Sequence, residues 1–251
     1  MPTAIHDSDS ARASISASTA HMWTLDNREC AIRSCSKVRS TEPKLKRLFD
    51  IILSMLGLIL SAWLWFIIWI MITLEDGMPV IIRQRRIGKD GKNFDSFKFR
   101  SMVKGTLGDR INNQAIEHDG RVTRVGRFLR RTAFDELPQL INILKGDMSF
   151  VGPRPLLSDE VEIYGDREVT NINAIPGCAA RTAIRPGLTG VAQIFAPRDI
   201  PRKYKFKYDL LYIRKMSFLH DLALIILSFL ITLSCAWEKR TDKLPFLKRN
   251  M

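Results

Sequence analysis

An unbroken run of 24 uncharged residues, Ile51–Leu74 (IILSMLGLILSAWLWFIIWIMITL), divides the chain. At 1.5 Å rise per residue a helix of this length reaches roughly 36 Å, enough to cross the hydrocarbon core of a bilayer. Three tryptophans and no charge among these residues disfavour the core helix of a soluble protein. The pattern predicts a membrane-embedded helix over residues 44–75, entered through Lys44-Leu-Lys-Arg-Leu-Phe-Asp50. Ahead of it, residues 1–43 are rich in Ser, Ala and Thr and have neither helical nor strand period. They read as a disordered polar tail, and no apolar h-region follows their first charges as a secretory signal would require.

Beyond the apolar run the periodicity changes. Val80–Ile87 and Asn93–Phe99 have strand composition, and Lys89-Asp-Gly-Lys92 between them holds the Asp-Gly pair that favours a tight hairpin turn. Phe94, Phe97 and Phe99 alternate with Lys98 and Arg100. Base stacking beside cations and packing of a half-buried strand both fit that alternation, and packing is the more economical. Residues 104–120 are polar and loop-like. Val125–Arg131 reads as helix. Leu137, Leu140, Ile141 and Leu144 then recur at helical spacing, with Asp135 as N-cap, Pro138 in the first turn and Gly146 as the stop. Residues 156–184 carry no readable pattern. Tyr204–Lys215 reads as a basic amphipathic helix. The last apolar run, Leu222–Trp237, is 16 residues, too short for a simple span and suited to lying on a membrane or packing on the core. The expected fold class is α+β, mainly helical, with one small β-hairpin.

Charge sharpens this picture. The net charge is +13, and residues 1–43 hold equal numbers of basic and acidic side chains, so the whole excess lies in residues 44–251. An anionic partner is implied: nucleic acid, lipid headgroups or a phosphorylated small molecule. Basic residues flank both ends of the apolar run, Lys44, Lys46 and Arg47 before it and Arg83, Arg85 and Arg86 after it. A simple span puts one set on the wrong side of the membrane, whereas a re-entrant helix keeps both in the cytoplasm. Gly57 and Ser61 are the expected weak points for the bend. Cys30, Cys35, Cys178 and Cys235 form no CxxC pair, and the four histidines do not complete a zinc site, so the cysteines read as reduced thiols.

Candidate chemistry concentrates in RTAFDELPQLINILKGDMSFVGPRP, residues 131–155. Adjacent carboxylates, Asp135 and Glu136, follow Arg127, Arg130 and Arg131. A helix start and nearby arginines favour ionised carboxylates and bind phosphate. An ionised Asp is a competent nucleophile, and its neighbour can hold a divalent cation. A plain cap with a paired Glu would give the same spacing. Gly152-Pro-Arg-Pro155 is more specific: two prolines fix the backbone around Arg154, leaving its guanidinium less freedom to lose on binding phosphate. Arg185-Pro-Gly187 repeats the device.

These residues resemble the bacterial sugar transferase family, the monotopic polyprenyl-phosphate phosphoglycosyl transferases. The matching stretches are KRLFDIIL, RQRRIGKDGKNFDSFKFRSM, GRVTRVGRFLRRTAFDELPQLINILKGDMSFVGPRPLL, RPGLTGVAQI and YDLLYIRKMSFLHDL. They cover roughly residues 44–230, and the block from DELPQL to GPRP is the most specific. The resemblance implies a transfer in two steps. Asp135 attacks the β-phosphate of a UDP-sugar and releases UMP; undecaprenyl phosphate then takes the sugar phosphate from the acyl-phosphate. It implies that Glu136 helps Asp135 hold Mg²⁺, and that Lys98, Arg100, Arg130, Arg154 and Arg185 surround the phosphates. It also implies a re-entrant membrane helix. This chain departs from the family in reading Ser61-Ala62-Trp63 where Ser-Pro is frequent, and Ala133-Phe134 before the dyad where Ser-Leu is usual.

The expected organisation is a tail (1–43), a membrane-embedded re-entrant helix (44–75), a catalytic domain with amphipathic membrane-surface helices (76–237) and a basic C-terminal tail (238–251). Expected partners are a UDP-sugar, undecaprenyl phosphate, the bilayer at the cytoplasmic face of the inner membrane and other glycan-assembly enzymes. A catalytically degenerate membrane scaffold is the alternative, and the intact dyad and GPRP count against it. No nucleic acid is expected, since no nucleic-acid-binding motif accompanies the charge.

Overall fold

The computed structural model describes residues 42–105, 119–158, 161–164, 168–171, 175–197, 200–235 and 237. Both expected tails, apart from Glu42 and Pro43, and most of the 104–120 loop therefore lie outside the described residues.

The apolar run forms α1, a single helix from Lys44 to Asp76 that continues unbroken through Gly57 and Ser61. Among the described residues it is the one helix long and apolar enough to cross a membrane. One side stays bare, with Ile52, Ile59, Leu60, Trp63, Phe66 and Leu74 all exposed. The other side is covered by the remainder of the fold. The two expected weak points do other work. Gly57 lies beneath Leu140, where an added Cβ would come within 3.1 Å of its side chain. The Ser61 hydroxyl accepts from the Trp65 indole at 3.1 Å, whereas Ser54 and Thr73 bond back to the preceding turn, donating to the Ile51 carbonyl at 3.0 Å and the Trp69 carbonyl at 2.8 Å.

The predicted hairpin is present. Strands β1 (Ile81–Ile87) and β2 (Asn93–Phe99) pair antiparallel, with Ile81 opposite Phe99 and Ile87 opposite Asn93. Asp90 and Gly91 both take left-handed conformations (φ 56° and 73°) in the three-residue loop Lys89–Gly91, which the Lys92 N–H closes on the Lys89 carbonyl at 3.1 Å. Phe99 packs edge-on to Trp65 of α1, with ring centres 5.2 Å apart, and Phe94 packs on the cluster of Leu140 and Ile143, whereas Phe97 lies against the charges of Arg83 and Lys145.

Two helices follow, α2 (Arg124–Thr132) and α3 (Gln139–Lys145), joined by a short 3₁₀ turn over Phe134–Glu136. Gly146 (φ 98°) ends α3 as expected. Asp135 is not its N-cap. Ala133 closes α2 in a left-handed conformation, the chain turns directly into the 3₁₀ segment, and Pro138 with its fixed φ starts α3. The Asp135 side chain is thereby freed from capping.

Among the described residues, the single hairpin expected from the sequence is one of three two-stranded sheets. Strand β3 (Ser149–Val151) pairs parallel to β6 (Gly187–Thr189), and β4 (Val161–Tyr164) pairs with β5 (Glu168–Asn171). Strands of three or four residues are too short for alternation to declare them. Helices α4 (Cys178–Arg181), α5 (Val191–Phe195), α6 (Arg202–Arg214) and α7 (Phe218–Leu233) complete the fold. Helix α7 starts four residues before the apolar run and is capped by the Ser217 hydroxyl, which accepts from the His220 N–H. It buries Leu224 and Ile231 with Val151, Ile184, Ile194 and Tyr212, and leaves Leu219, Ile226, Phe229 and Leu233 exposed.

The basic residues before α1 are used inside the protein. Lys46 is buried and donates to Asp221 (2.5 Å), the Val151 carbonyl (3.0 Å) and the Tyr212 hydroxyl (3.1 Å). Arg47 reaches the C-terminal carbonyls of α3. Two of the three charges counted as membrane-orienting at this end thus satisfy internal partners.

Candidate active site

The acidic pair sits at the bend between α2 and α3, on a turn closed by the Glu136 N–H to the Ala133 carbonyl (3.1 Å) and the Leu137 N–H to the Phe134 carbonyl (3.2 Å). Strand β2 brings Lys98 to it. Asn142, fully buried on α3, accepts from the Phe97 N–H (3.0 Å) and donates to the Asp95 carbonyl (2.7 Å), fastening β2 to the helix that follows the pair. The Lys98 ammonium then lies 2.5 Å from Glu136 and 3.6 Å from Asp135. Arg154 approaches the same Glu136 oxygen at 2.8 Å.

The loop carrying Arg154 is held by its backbone. Gly152 and Gly187 meet main chain to main chain, and a Cβ at Gly187 would fall 2.0 Å from the Gly152 nitrogen. Arg181, buried in an ion pair with Asp209 (2.9 Å), donates to the Arg154 carbonyl at 2.6 Å. Arg86 donates to the Pro155 carbonyl at 2.6 Å, and the Ile87 N–H to the Leu156 carbonyl at 2.8 Å. The two prolines are therefore one part of a larger clamp. The Arg154 side chain is left about half exposed, at 47 %, beside the nearly buried acids.

The two carboxyls are driven apart. Burial lifts Asp135 above the ordinary carboxylate value; Lys98 opposes the lift, Glu136 adds to it, and Arg130 and Arg154 oppose it more weakly. This reverses the direction expected from the sequence, because Asp135 loses more by leaving water than it gains from the cations around it. Burial also pushes Glu136 upward, but Arg154 and Lys98 charge and hydrogen-bond it strongly enough to hold it well below the usual range. Glu136 is thus the standing anion, and Asp135 is a carboxyl whose ionisation follows the charge brought near it.

Lys98, Asp135, Glu136 and Arg154 come together as expected, with Arg130 acting on Asp135 through its charge. Arg100 and Arg185 are engaged elsewhere. Arg100, the residue after β2, is ion-paired with the Asp76 carboxylate at 3.1 Å. It donates to the carbonyls of Asp76 (2.8 Å) and Gly77 (2.6 Å), and its Nε and Nη1 have no hydrogen-bond partner among the described residues. Arg185 donates from Nε to the Gly146 carbonyl (2.9 Å) and binds Glu42 through its guanidinium and its N–H. Those contacts hold it at the far end of α3, roughly 10 Å of helix from the acidic pair. Sequence reasoning missed Asn142, Arg181, Asp209 and Arg86. A polar Asn inside the apolar run LINILK was the one available signal.

Asp135 and Glu136 offer hard oxygen donors, and no group of three or more His, Cys, Asp or Glu side chains placed to hold a metal occurs among the described residues. Two carboxylates suit Mg²⁺ that completes its shell with water and substrate phosphate.

The profile of the family described as "Bacterial sugar transferase" matches residues 41–235. The chain is 38% identical over 195 residues to the undecaprenyl-phosphate galactose phosphotransferase of Salmonella typhimurium, covering 72% of this chain and 39% of that protein. It is 43% identical over 189 residues to the UDP-glucose:undecaprenyl-phosphate glucose-1-phosphate transferase of Escherichia coli, covering 73% of this chain and again 39% of the relative. It is 36% identical over 196 residues to the exopolysaccharide production protein ExoY of Rhizobium meliloti, covering 72% of this chain and 81% of that one. The matched region contains every residue of the acidic pair, its Lys98 and Arg154 partners and the clamp beneath them, and the chain belongs to the bacterial sugar transferase family.

Proposed function

We propose that this chain transfers a sugar 1-phosphate from a UDP-sugar to undecaprenyl phosphate, at the cytoplasmic face of the inner membrane, and so starts a lipid-linked glycan of the exopolysaccharide, capsule or O-antigen kind. The observation that carries the reading is the pair of adjacent carboxyls with opposite shifts, Asp135 and Glu136, set against Lys98 and an exposed Arg154.

In the first step an Asp135 oxygen attacks the β-phosphorus. A P–O bond to Asp135 forms, the bond from that phosphorus to the bridging oxygen breaks, and UMP leaves with the electron pair. In the second, a phosphate oxygen of undecaprenyl phosphate attacks the same phosphorus and Asp135 leaves as carboxylate. Lys98 and Arg154 offset the charge of the incoming diphosphate, without which an anion would not approach an anion. Arg100 is held in an ion pair with Asp76 (3.1 Å) and by the Asp76 and Gly77 carbonyls, so it takes no part in this charge balance. Asp135 and Glu136 would hold Mg²⁺, which when bound supplies further neutralisation of the diphosphate. The test is UMP release from a panel of UDP-sugars, with purified protein, undecaprenyl phosphate and Mg²⁺. One sugar nucleotide is expected to yield UMP and a lipid-linked product together; no UMP from any of them contradicts the reading.

Lys98→Met is expected to lower turnover roughly a hundredfold, as for loss of a preorganised charge. Lys98 holds the Asp135 carboxyl down against burial, so its removal lifts that carboxyl further. Less Asp135 is ionised at a given pH, and the acidic limb of kcat/KM moves to higher pH. An unmoved acidic limb would show that Lys98 does not govern the ionisation of the nucleophile.

Helix α1 is read as re-entrant. Its first turns bind α3 and α7, through Arg47 and Lys46, and its last turn binds α2 through Glu75 and Arg100, just past β2, through Asp76. The unbroken helix supplies no bend at Gly57 or Ser61, so the reading rests on contact of both ends with one body, which keeps both ends on the same side. Single cysteines in residues 36–43 and beside Lys89, in a chain stripped of native cysteines, should both resist an impermeant thiol reagent in intact cells. Labelling of the first site alone would establish a true span.

A further inference from the structure

Helix α2 begins with unpaired N–H groups, as every helix does, yet its sequence RVGRFLRRT has no acid in the first turn and four arginines. The missing negative charge comes from another element. Glu75, in the last turn of α1, accepts from the Arg124 N–H through one oxygen (2.7 Å) and from the Val125 N–H through the other (2.9 Å). The Thr123 hydroxyl takes the next N–H, that of Gly126. Helix α3 shows the complementary arrangement at its C-terminus. Arg47, in the first turn of α1, donates to the carbonyls of Ile143 (2.6 Å) and Leu144 (2.8 Å), matching positive charge to the negative end of the helix.

The two ends of α1 therefore hold the outer ends of the two helices whose inner ends meet at Asp135-Glu136. The link between them is short. Ala133 closes α2 with its N–H directed at the Arg130 and Leu129 carbonyls, and the 3₁₀ turn follows at once. Leu137, directly after the acidic pair, packs against both apolar clusters beneath α1: that of Ile68, Ile72 and Leu129, and that of Leu140 and Ile143 with Leu58. A shift of α2 or α3 along α1 is thus passed to the turn, with no flexible segment to absorb it.

We propose that Glu75 and Arg47 are positioning residues for Asp135, setting its line of attack on the β-phosphorus through the two helices they cap. The inference rests on the transfer reaction proposed above. Neither residue touches the reacting atoms, so substrate binding is spared. Glu75→Gln keeps the shape but loses the charge and one acceptor; Arg47→Lys keeps the charge but loses the two-pronged donor.

The experiment measures kcat and KM for UMP release in both single variants, in the double variant and in Asp135→Asn, per mole of folded protein scored by near-ultraviolet circular dichroism. Each single variant is expected to lose roughly ten- to hundredfold in kcat, the cost of misplacing a reacting group by about an ångström, with KM for the UDP-sugar within about twofold of the native value. The double variant should lose less than the product of the two, since both act through one turn. Native kcat in folded Glu75→Gln and Arg47→Lys, with Asp135→Asn inactive, overturns the positioning role and leaves the reaction standing. Losses that multiply fully also overturn it, because they mark two unrelated defects. Absence of UMP release from the native chain removes the reaction, and the positioning role falls with it.

Discussion

Asp135→Asn is expected to release UMP at least about a thousandfold more slowly than the native chain, as for loss of a covalent nucleophile. The substitution keeps volume and hydrogen-bonding shape on a turn whose closure depends on backbone groups, so the fold survives. Binding of the UDP-sugar should survive too, because the cations left in place, Lys98 and Arg154, are drawn to the diphosphate. Removing one of two neighbouring negative charges even favours an anionic ligand. The expected signature is a collapsed kcat with KM unchanged or lowered. Turnover near the native rate in Asp135→Asn, checked by mass for the absence of deamidation, would remove Asp135 from the chemistry.

Removal of divalent metal is expected to abolish transfer without unfolding the protein. Two adjacent carboxyls are too few to retain a hard cation unaided, and Glu136 is already engaged by Lys98 and Arg154. The ion's remaining partners must come from the diphosphate and water. Metal should therefore exchange quickly, EDTA should silence the reaction within mixing time, and added Mg²⁺ should restore it in full. The thermal transition should not move on chelation, because no described structural feature depends on the ion. Full activity in thoroughly chelated protein would contradict this. A large fall in thermal stability would indicate a structural metal instead.

The sequence made the long-range elements legible and left the short ones dark. A 24-residue apolar run, an Asp-Gly hairpin and the Leu137–Leu144 periodicity each declare themselves by length, turn chemistry or spacing. Strands β3 and β6, three residues each, do not, and yet their pairing puts Gly152 against Gly187 and so fixes the loop that presents Arg154. The acidic pair could be read as a site through the resemblance carried by the block from DELPQL to GPRP, since its spacing alone also fits a plain helix cap with a paired Glu. Its electrostatics could not, since the lift of Asp135 depends on how deeply a 3₁₀ turn is buried. Arg185 was misplaced for a related reason: RPG looks like GPRP in sequence, but Glu42 and Gly146 draw its side chain to the other end of α3. Basic residues flanking α1 suggested membrane orientation, whereas Lys46 and Arg47 spend their charge on Asp221 and on helix carbonyls. Charge counting near a membrane helix is a bias, and internal partners can claim the same residues.

The central claim is that the sugar phosphate passes through Asp135. The most direct measurement incubates purified protein with Mg²⁺ and a UDP-sugar carrying radiolabel in the β-phosphate, in the absence of undecaprenyl phosphate, then quenches, digests and maps the label. Label is predicted on the peptide containing Asp135, close to one per active protein and matched by an equal burst of UMP. It should be absent from Asp135→Asn and discharged into lipid when undecaprenyl phosphate is added. Product formed at the native rate with no label ever found on the protein, or label on a peptide lacking Asp135, would contradict the account.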